Sequence, residues 1–201
     1  VTGGASEPRT GLSMGQHCEQ MARSWQIGRT LQDELACRSH QLAHAAWESG
    51  FMSELTVPFL GLARDNNVRA GSTVEQLAKL RPSFAADGTL TAGNSTPMTD
   101  GAAAVLLASE DWARARGLPV QAWLSYGKVA AVDFVGGEGL LMAPAYAVAR
   151  MLADAGLRLL EFDFYEIHEA FAAQLLCTLK AWESPEFCRE RLGLAEPLGT
   201  I

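Results

Sequence analysis

The sequence predicts an α/β layered fold, in which helices pack against sheets. Segments with apolar residues at helical spacing alternate along the chain with apolar segments of strand length. The clearest strand candidate is the continuous apolar run at 102–108, which suits a strand buried on both faces. Two further strands are predicted at 120–132 and 162–167.

Capping residues and glycines set the limits of the first two predicted helices. The first begins at Ser13 and extends to about Trp25. Thr30 is predicted to cap the second, with Asp33 at its third helical position. Gly50 is predicted to end this helix, because glycine readily adopts the left-handed conformation found after a helix.

The later helices are predicted at 72–80, 109–117, 144–155, 168–182 and 187–192. Ser72 and Glu75 form a capping box for the first of these. Ser109 is predicted to cap the next, and Pro144 suits the first turn of the helix after it.

Composition and charge narrow the class of protein. The 201 residues are 48% hydrophobic and carry 16 basic and 23 acidic side chains, for a formal charge of −7. This balance argues for a globular protein and against a general surface for nucleic acids or anionic membranes.

No apolar run reaches the roughly 18 residues of a membrane span. The start of the sequence lacks a signal-peptide pattern, and the four cysteines lack Cys-x-x-Cys spacing, so we expect a cytoplasmic location.

The stretch at 91–109 joins a small, polar first half to an apolar second half. Gly93 and Gly101 allow tight turns in the polar half. Two interpretations remain open. The stretch is either a turn before a core strand, or a loop that presents backbone amides and hydroxyls to a ligand.

One predicted helix carries Cys37, His40 and His44 at spacings that place them near one face. A zinc site would need this arrangement, but the neighbouring sequence offers no fourth ligand. We therefore expect no metal, and partly buried or surface roles for the three side chains.

His168 directly follows the predicted strand at 162–167, at the strand end where ligands bind in open α/β sheets. An imidazole there could shuttle a proton or donate a hydrogen bond to an oxyanion. Cys177 lies further along the same predicted helix and is expected in the core.

Seven segments match one family in collinear order within residues 11–201: 13–15, 19–22, 38–41, 79–84, 91–109, 140–146 and 168–174. Together they resemble the thiolases of fatty-acid β-oxidation, especially the β-subunit type of the trifunctional enzyme. The sequence His-Glu-Ala-Phe at 168–171 is typical of that branch, whereas other thiolases have Asn-Glu-Ala-Phe.

The resemblance implies a thiolase-like layered fold of helices and mixed sheets, incomplete in this chain. It divides the chain into a coenzyme A-binding loop domain at 1–90, the end of the N-terminal core domain at 91–117 and the first part of the C-terminal core domain at 118–201. The implied reaction is acyl transfer between coenzyme A thioesters through a cysteine thioester.

The resemblance also implies site residues. His168 is the implied catalytic residue, as a donor in an oxyanion hole. Coenzyme A contacts are implied for six residues: Met14, Arg69, Gln76, Phe84, Thr96 and Phe171. Coenzyme A and acyl-CoA are expected as substrates, with no covalently bound cofactor.

The motifs that carry the two thiolase cysteines and the Gly-His-Pro histidine do not occur in these 201 residues. Cys18, Cys37, Cys177 and Cys188 align with neither catalytic cysteine, so the chain resembles the middle portion of a thiolase. Two functions stay open: a segment of a catalytic thiolase, or a non-catalytic thiolase-like binding or assembly subunit. By resemblance, we expect a homo-oligomer (a dimer or tetramer) and pairing with a hydratase/dehydrogenase subunit, and we expect no nucleic-acid partner.

Overall fold

A computed structural model describes residues 6–201, which contain eight α-helices. These are α1 (Met14–Ser24), α2 (Arg29–Glu48), α3 (Phe51–Leu55), α4 (Val74–Leu77), α5 (Glu110–Ala115), α6 (Ala143–Ala155), α7 (Ala172–Glu183) and α8 (Pro185–Glu190). Short 3-10 turns at Leu140–Met142 and Leu159–Glu161 flank α6.

The first two helices form where the sequence predicts them, with one different cap. Ser13 caps α1 in a reciprocal capping box with Gln16, which satisfies backbone amides that the helix leaves free. The cap of α2 is Gly28 rather than Thr30, and no side chain caps that end. Gly50, at φ 87°, follows the end of α2 in the left-handed conformation, as predicted.

The later helices differ more from the prediction. Thr73, not Ser72, caps α4 by accepting a hydrogen bond from the Gln76 amide. Ser109 caps α5 and Pro144 lies in the first turn of α6, both as predicted. The helix predicted from His168 begins only at 172, because the preceding residues pair with another segment.

Helix α7 lies at the centre of the fold and contacts α1, α2, α6 and α8. Its inner face carries Ala173, Cys177 and Ala181, all completely buried at intervals of four residues. Small side chains at this spacing let neighbouring helices approach closely. The core prediction for Cys177 is confirmed. Other members of the core cluster include Cys18, Met21, Leu90, Met142, Tyr146, Trp182 and Phe187.

The three predicted strands are not formed within residues 6–201, so the sheets of the predicted layered fold are not confirmed. The described residues contain only isolated antiparallel bridges, at Ser6–Ser13, Phe59–Leu62, Pro82–Thr91 and Ser95–Phe171. The run at 102–108, predicted to be buried, is exposed throughout, and Val105 is 84% exposed. A strand needs a neighbour to pair with, and no described segment pairs with this run.

No helix within residues 6–201 combines the length and the apolar character needed to cross a bilayer.

Candidate functional site

A cavity of about 700 Å³ lies between α2, α4 and the three loop segments at 65–69, 92–97 and 168–169. Four of the seven residues that the sequence assigns to the site line it: Arg69, Gln76, Thr96 and His168. These four residues are far apart in the sequence, and the fold places them around the same cavity.

A short antiparallel contact places Thr96 beside the segment that carries His168. The Thr96 amide donates to the Ala170 carbonyl at 2.8 Å, and the Ala172 amide donates to the Asn94 carbonyl at 3.0 Å. These two bonds hold Phe171 extended between them, which explains why α7 begins at Ala172 and not at His168. The polar loop at 91–97 therefore fixes one wall of the cavity.

A buried polar network holds that loop against α2. The Asn94 side-chain amide donates to Asp33 Oδ1 at 2.9 Å, and Asn94 Oδ1 accepts from the Thr91 amide at 2.7 Å. The other oxygen of Asp33 accepts from Arg29 Nε at 2.7 Å. Buried polar groups need such partners, because an unsatisfied group in the interior costs about 1 to 3 kcal/mol. Asp33 therefore holds the loop at 91–97 against α2, through its hydrogen bond with the Asn94 side chain.

The opposite wall of the cavity consists of the loop at 65–69 and α4, and both are attached to α2. The Arg69 amide donates to His40 Nδ1 at 3.3 Å, which ties the loop at 65–69 to α2. The Cys37 thiol lies 3.0 Å from the Ser72 carbonyl, next to the start of α4. Gln76 lies on α4, so the contact between Cys37 and Ser72 helps to position it.

The charges around the cavity are few. Among the described residues that line it, Arg69 is the single arginine or lysine, and Asp65 and Glu169 are the acidic residues. Ser39 Oγ donates to Glu169 Oε2 at 2.6 Å, joining α2 to the residue next to His168. The sequence interpretation missed both partners of this bond as site residues, since a pair 130 positions apart leaves no local pattern.

The three apolar residues assigned by resemblance do not line this cavity. Phe84 and Phe171 contact each other edge to face, with ring centroids 5.7 Å apart. The Phe84 ring also lies against Gly15, the residue after Met14. Their contact with coenzyme A therefore stays a prediction.

All four cysteines are reduced and buried. Burial raises the pKa of the Cys18 thiol well above its ordinary value, and the neighbouring Cys177 and Glu19 add to this rise. Burial also raises the pKa of Cys177 to about 12. A thiol is nucleophilic only as the thiolate, so neither group is suited to attack an acyl group at neutral pH.

The three candidate zinc ligands have separate contacts. Cys37 contacts Ser72 and His40 accepts from Arg69, while His44 Nδ1 lies 3.2 Å from an Arg64 nitrogen. Within residues 6–201, no three metal-binding side chains converge.

Comparisons with known proteins agree on one family. The model for the thiolase N-terminal domain matches residues 2–111, and the model for the thiolase C-terminal domain matches residues 119–194. The first of these covers more than half of the chain.

Curated relatives include the 3-ketoacyl-CoA thiolases of Yersinia pestis (strain Pestoides F) and Yersinia pseudotuberculosis (serotype O:1b, strain IP 31758). Each is 43% identical over 208 aligned residues, covering 100% of this chain and 47% of the relative. This chain therefore spans about half the length of the curated relatives it matches.

Among solved structures, the crystal structure of the Bacillus anthracis acetyl-CoA acetyltransferase is similar, with a TM-score of 0.82 and 32% identity. The match covers 97% of this chain and 50% of that one. By sequence and by fold, this chain belongs to the thiolase family.

Proposed function

We propose that this chain forms part of a 3-ketoacyl-CoA thiolase, an acetyl-CoA C-acyltransferase, and contributes coenzyme A contacts and an oxyanion-hole donor. One observation carries the proposal: Arg69, Gln76, Thr96 and His168 line one cavity although the sequence separates them widely. The relatives named 3-ketoacyl-CoA thiolase support the reaction class.

The cavity suits a long ligand with a phosphate-bearing end. Arg69 supplies a planar, permanently charged guanidinium, which can stack on adenine and bind phosphate through two N–H groups. Gln76 lies on the same wall and offers an amide to that end. The Thr96 hydroxyl, on the wall nearest His168, can hydrogen-bond an amide of the pantetheine arm.

In the proposed reaction, an imidazole N–H of His168 donates to the thioester oxygen. This oxygen gains negative charge as a nucleophile attacks the carbonyl carbon, and a fixed donor lowers the energy of that state. By the family resemblance, the attacking thiolate comes from a cysteine outside these 201 residues. The four cysteines within them are all buried, and burial raises the pKa of Cys18 and Cys177.

Calorimetric titration with coenzyme A tests the binding role. We expect Arg69→Ala to weaken binding by about tenfold or more, since a charge-assisted hydrogen bond contributes about 1.5 to 3 kcal/mol. Arg64→Ala is the matched control: Arg64 carries the same charge nearby but pairs with Glu48 at 2.9 Å and does not line the cavity. Equal effects of the two changes, or no binding at all, would refute the proposed site.

The alternative is a non-catalytic thiolase-like binding or assembly subunit, and the buried cysteines are the observation that favours it. A thiolysis assay with 3-ketoacyl-CoA separates the two, once the remaining thiolase segments are supplied. Turnover that falls in His168→Ala, while coenzyme A binding is kept, supports the enzyme. Binding without turnover supports the alternative.

Three finer proposals rest on the family resemblance: a role in fatty-acid β-oxidation, a dimeric or tetrameric assembly and a hydratase/dehydrogenase partner. The division into domains at 1–90, 91–117 and 118–201 is part of the same proposal. A cytoplasmic location is proposed from the cysteine pattern of the sequence. Native mass spectrometry of the purified protein tests the assembly, because it resolves each chain and the number of copies.

A further inference from the structure

His168 lies in a segment that few hydrogen bonds attach to the rest of the fold. Among the bonds that residues 6–201 form with one another, two involve the stretch 163–169. One is made by the Tyr165 hydroxyl and the other by the Glu169 carboxylate. The His168 side chain is exposed and takes part in neither, so its place depends on how the backbone around it is held.

The bond at Glu169 reaches α2. Glu169 Oε2 accepts from Ser39 Oγ at 2.6 Å, and both residues line the cavity. A serine in a helix commonly donates to a carbonyl of its own preceding turn. Ser49, at the end of α2, does so, with its Oγ 3.0 Å from the Ala46 carbonyl. Ser39 instead donates to a residue 130 positions away, directly after His168.

The residue after Glu169 has a second attachment. The Ala170 carbonyl accepts from the Thr96 amide at 2.8 Å, which ties it to the loop at 91–97. Two consecutive residues are therefore bound to two different elements around the cavity, α2 and that loop. One attachment would leave the chain free to turn about it, whereas two attachments to different elements fix the backbone that carries His168.

The proposed reaction needs this precision. A donor in an oxyanion hole is effective when it lies about 2.7 to 3.1 Å from the oxygen that gains negative charge. A displacement of about 1 Å can lower a rate by about 100-fold. We propose that Ser39 and Glu169 are positioning residues, which hold the His168 imidazole at the thioester oxygen. The inference rests on the proposed function, since it assigns a role to two further residues of the same site.

Nuclear magnetic resonance of the 201-residue chain tests the attachment itself. We expect the His168 backbone amide to be rigid in the wild type, with an order parameter of about 0.85, and to fall below about 0.6 in Ser39→Ala. The Thr96 amide keeps its bond to Ala170, so its order parameter should change little. Ser49→Ala is the matched control, because it removes a hydroxyl from the same helix away from the cavity.

Thiolysis of 3-ketoacyl-CoA, with the remaining thiolase segments supplied, tests the effect on the reaction. We expect Ser39→Ala to lower kcat by about tenfold and to leave KM within about twofold, because a loosened donor is lost from the transition state rather than from substrate binding. Ser39→Thr retains the hydroxyl and is expected to restore most of kcat, whereas Ser49→Ala should have no effect.

A double variant shows whether the two residues act through one bond. Ser39→Ala and Glu169→Ala each break it, so the loss of kcat in the double variant should equal the loss in Glu169→Ala alone.

Three outcomes would overturn the inference: an unchanged order parameter of His168 in Ser39→Ala, equal effects of Ser39→Ala and Ser49→Ala, or losses of kcat that add in the double variant. A wild-type protein without turnover contradicts the proposed function and with it this role. Normal wild-type turnover with an unaltered Ser39→Ala variant contradicts the role of this pair alone, so the two failures are distinguishable.

Discussion

Asp33 joins two segments that lie far apart in the sequence. It is 1% exposed in α2, and its carboxylate accepts hydrogen bonds from Arg29 Nε at 2.7 Å and from Asn94 Nδ2 at 2.9 Å. A buried carboxylate is stable only with such partners. The position of the loop at 91–97, and with it Thr96, therefore depends on this residue.

We expect Asp33→Ala to destabilise the chain by about 3 to 5 kcal/mol, because it leaves the partly buried Arg29 without its buried partner. The midpoint of urea unfolding measures the loss. Asp87→Ala is the control: Asp87 also pairs with an arginine, Arg23, but both side chains are largely exposed, so the change should be small. Similar losses in the two variants would mean that Asp33 has no special structural role.

The buried thiol of Cys177 is expected to make the chain less stable at alkaline pH. Burial raises its pKa from the model-compound value of 9.0 to about 12. The unfolded chain therefore releases this proton at a lower pH than the folded chain does. The contribution of the buried thiol to the free energy of unfolding is fully present below about pH 9, and it is lost as the pH rises towards 12.

We expect the urea midpoint of the wild-type chain to fall between pH 9 and pH 11, and to fall less steeply in Cys177→Ala. The comparison of slopes cancels the titration of groups that do not interact with Cys177, and the measured difference includes the contribution that Cys177 makes to the raised pKa of Cys18. A parallel decline in the two proteins would show that this thiol does not limit alkaline stability.

At the scale of elements, α1 and the loop at 81–90 meet through a glycine. A Cβ added at Gly15 would lie 2.2 Å from the Phe84 ring, well inside van der Waals contact. The same ring contacts Phe171, next to the start of α7. Glycine at this position lets Phe84 bridge α1 and the segment that follows His168.

We expect Gly15→Ala to destabilise the chain by about 1 to 3 kcal/mol, because the displaced ring must leave its packed position. Gly71→Ala is the control, since no atom beyond its two chain neighbours lies within 4 Å of its added Cβ. Urea unfolding compares the two, and the Phe171 ring resonances report whether the aromatic contact is lost. An unchanged midpoint for Gly15→Ala would show that Phe84 rearranges freely.

At the scale of the whole molecule, the helices form one packed unit while the strand-like segments stay unpaired. Helix α7 contacts four other helices, and its inner residues are completely buried. Residues 102–108 expose their apolar side chains and pair with no other segment among the residues described. Local stability is therefore expected to differ widely along the chain.

Hydrogen exchange of the chain alone measures this difference. We expect the amides of 102–108 and 120–129 to exchange fastest and those in the middle of α7 slowest, because only the latter are both hydrogen-bonded and buried. Far-UV circular dichroism should correspondingly be dominated by helix. Slow exchange at 102–108 in the monomeric chain would contradict the unpaired state.

The sequence predicts helix ends well, but it predicts contacts between residues far apart in the chain poorly. Ser13, Ser109 and Gly50 set helix ends through contacts with adjacent turns, and these predictions are confirmed. The grouping of Arg69, Gln76, Thr96 and His168 follows from the family resemblance, not from spacing. The bond between Ser39 and Glu169 could not be predicted, because nothing near either residue indicates the other.

The sequence by itself determined the approximate positions of seven of the eight helices described, all but α3, together with the core role of Cys177 and the resemblance to a family, since these depend on periodicity, capping and motifs within short stretches. The tertiary structure decided where α7 begins, which residues share the cavity and whether the apolar segments become strands. The physical reason lies in where the backbone finds its hydrogen-bond partners. A helix satisfies its backbone within one segment, whereas a strand needs a partner from elsewhere, and residues 102–108 have none among the residues described.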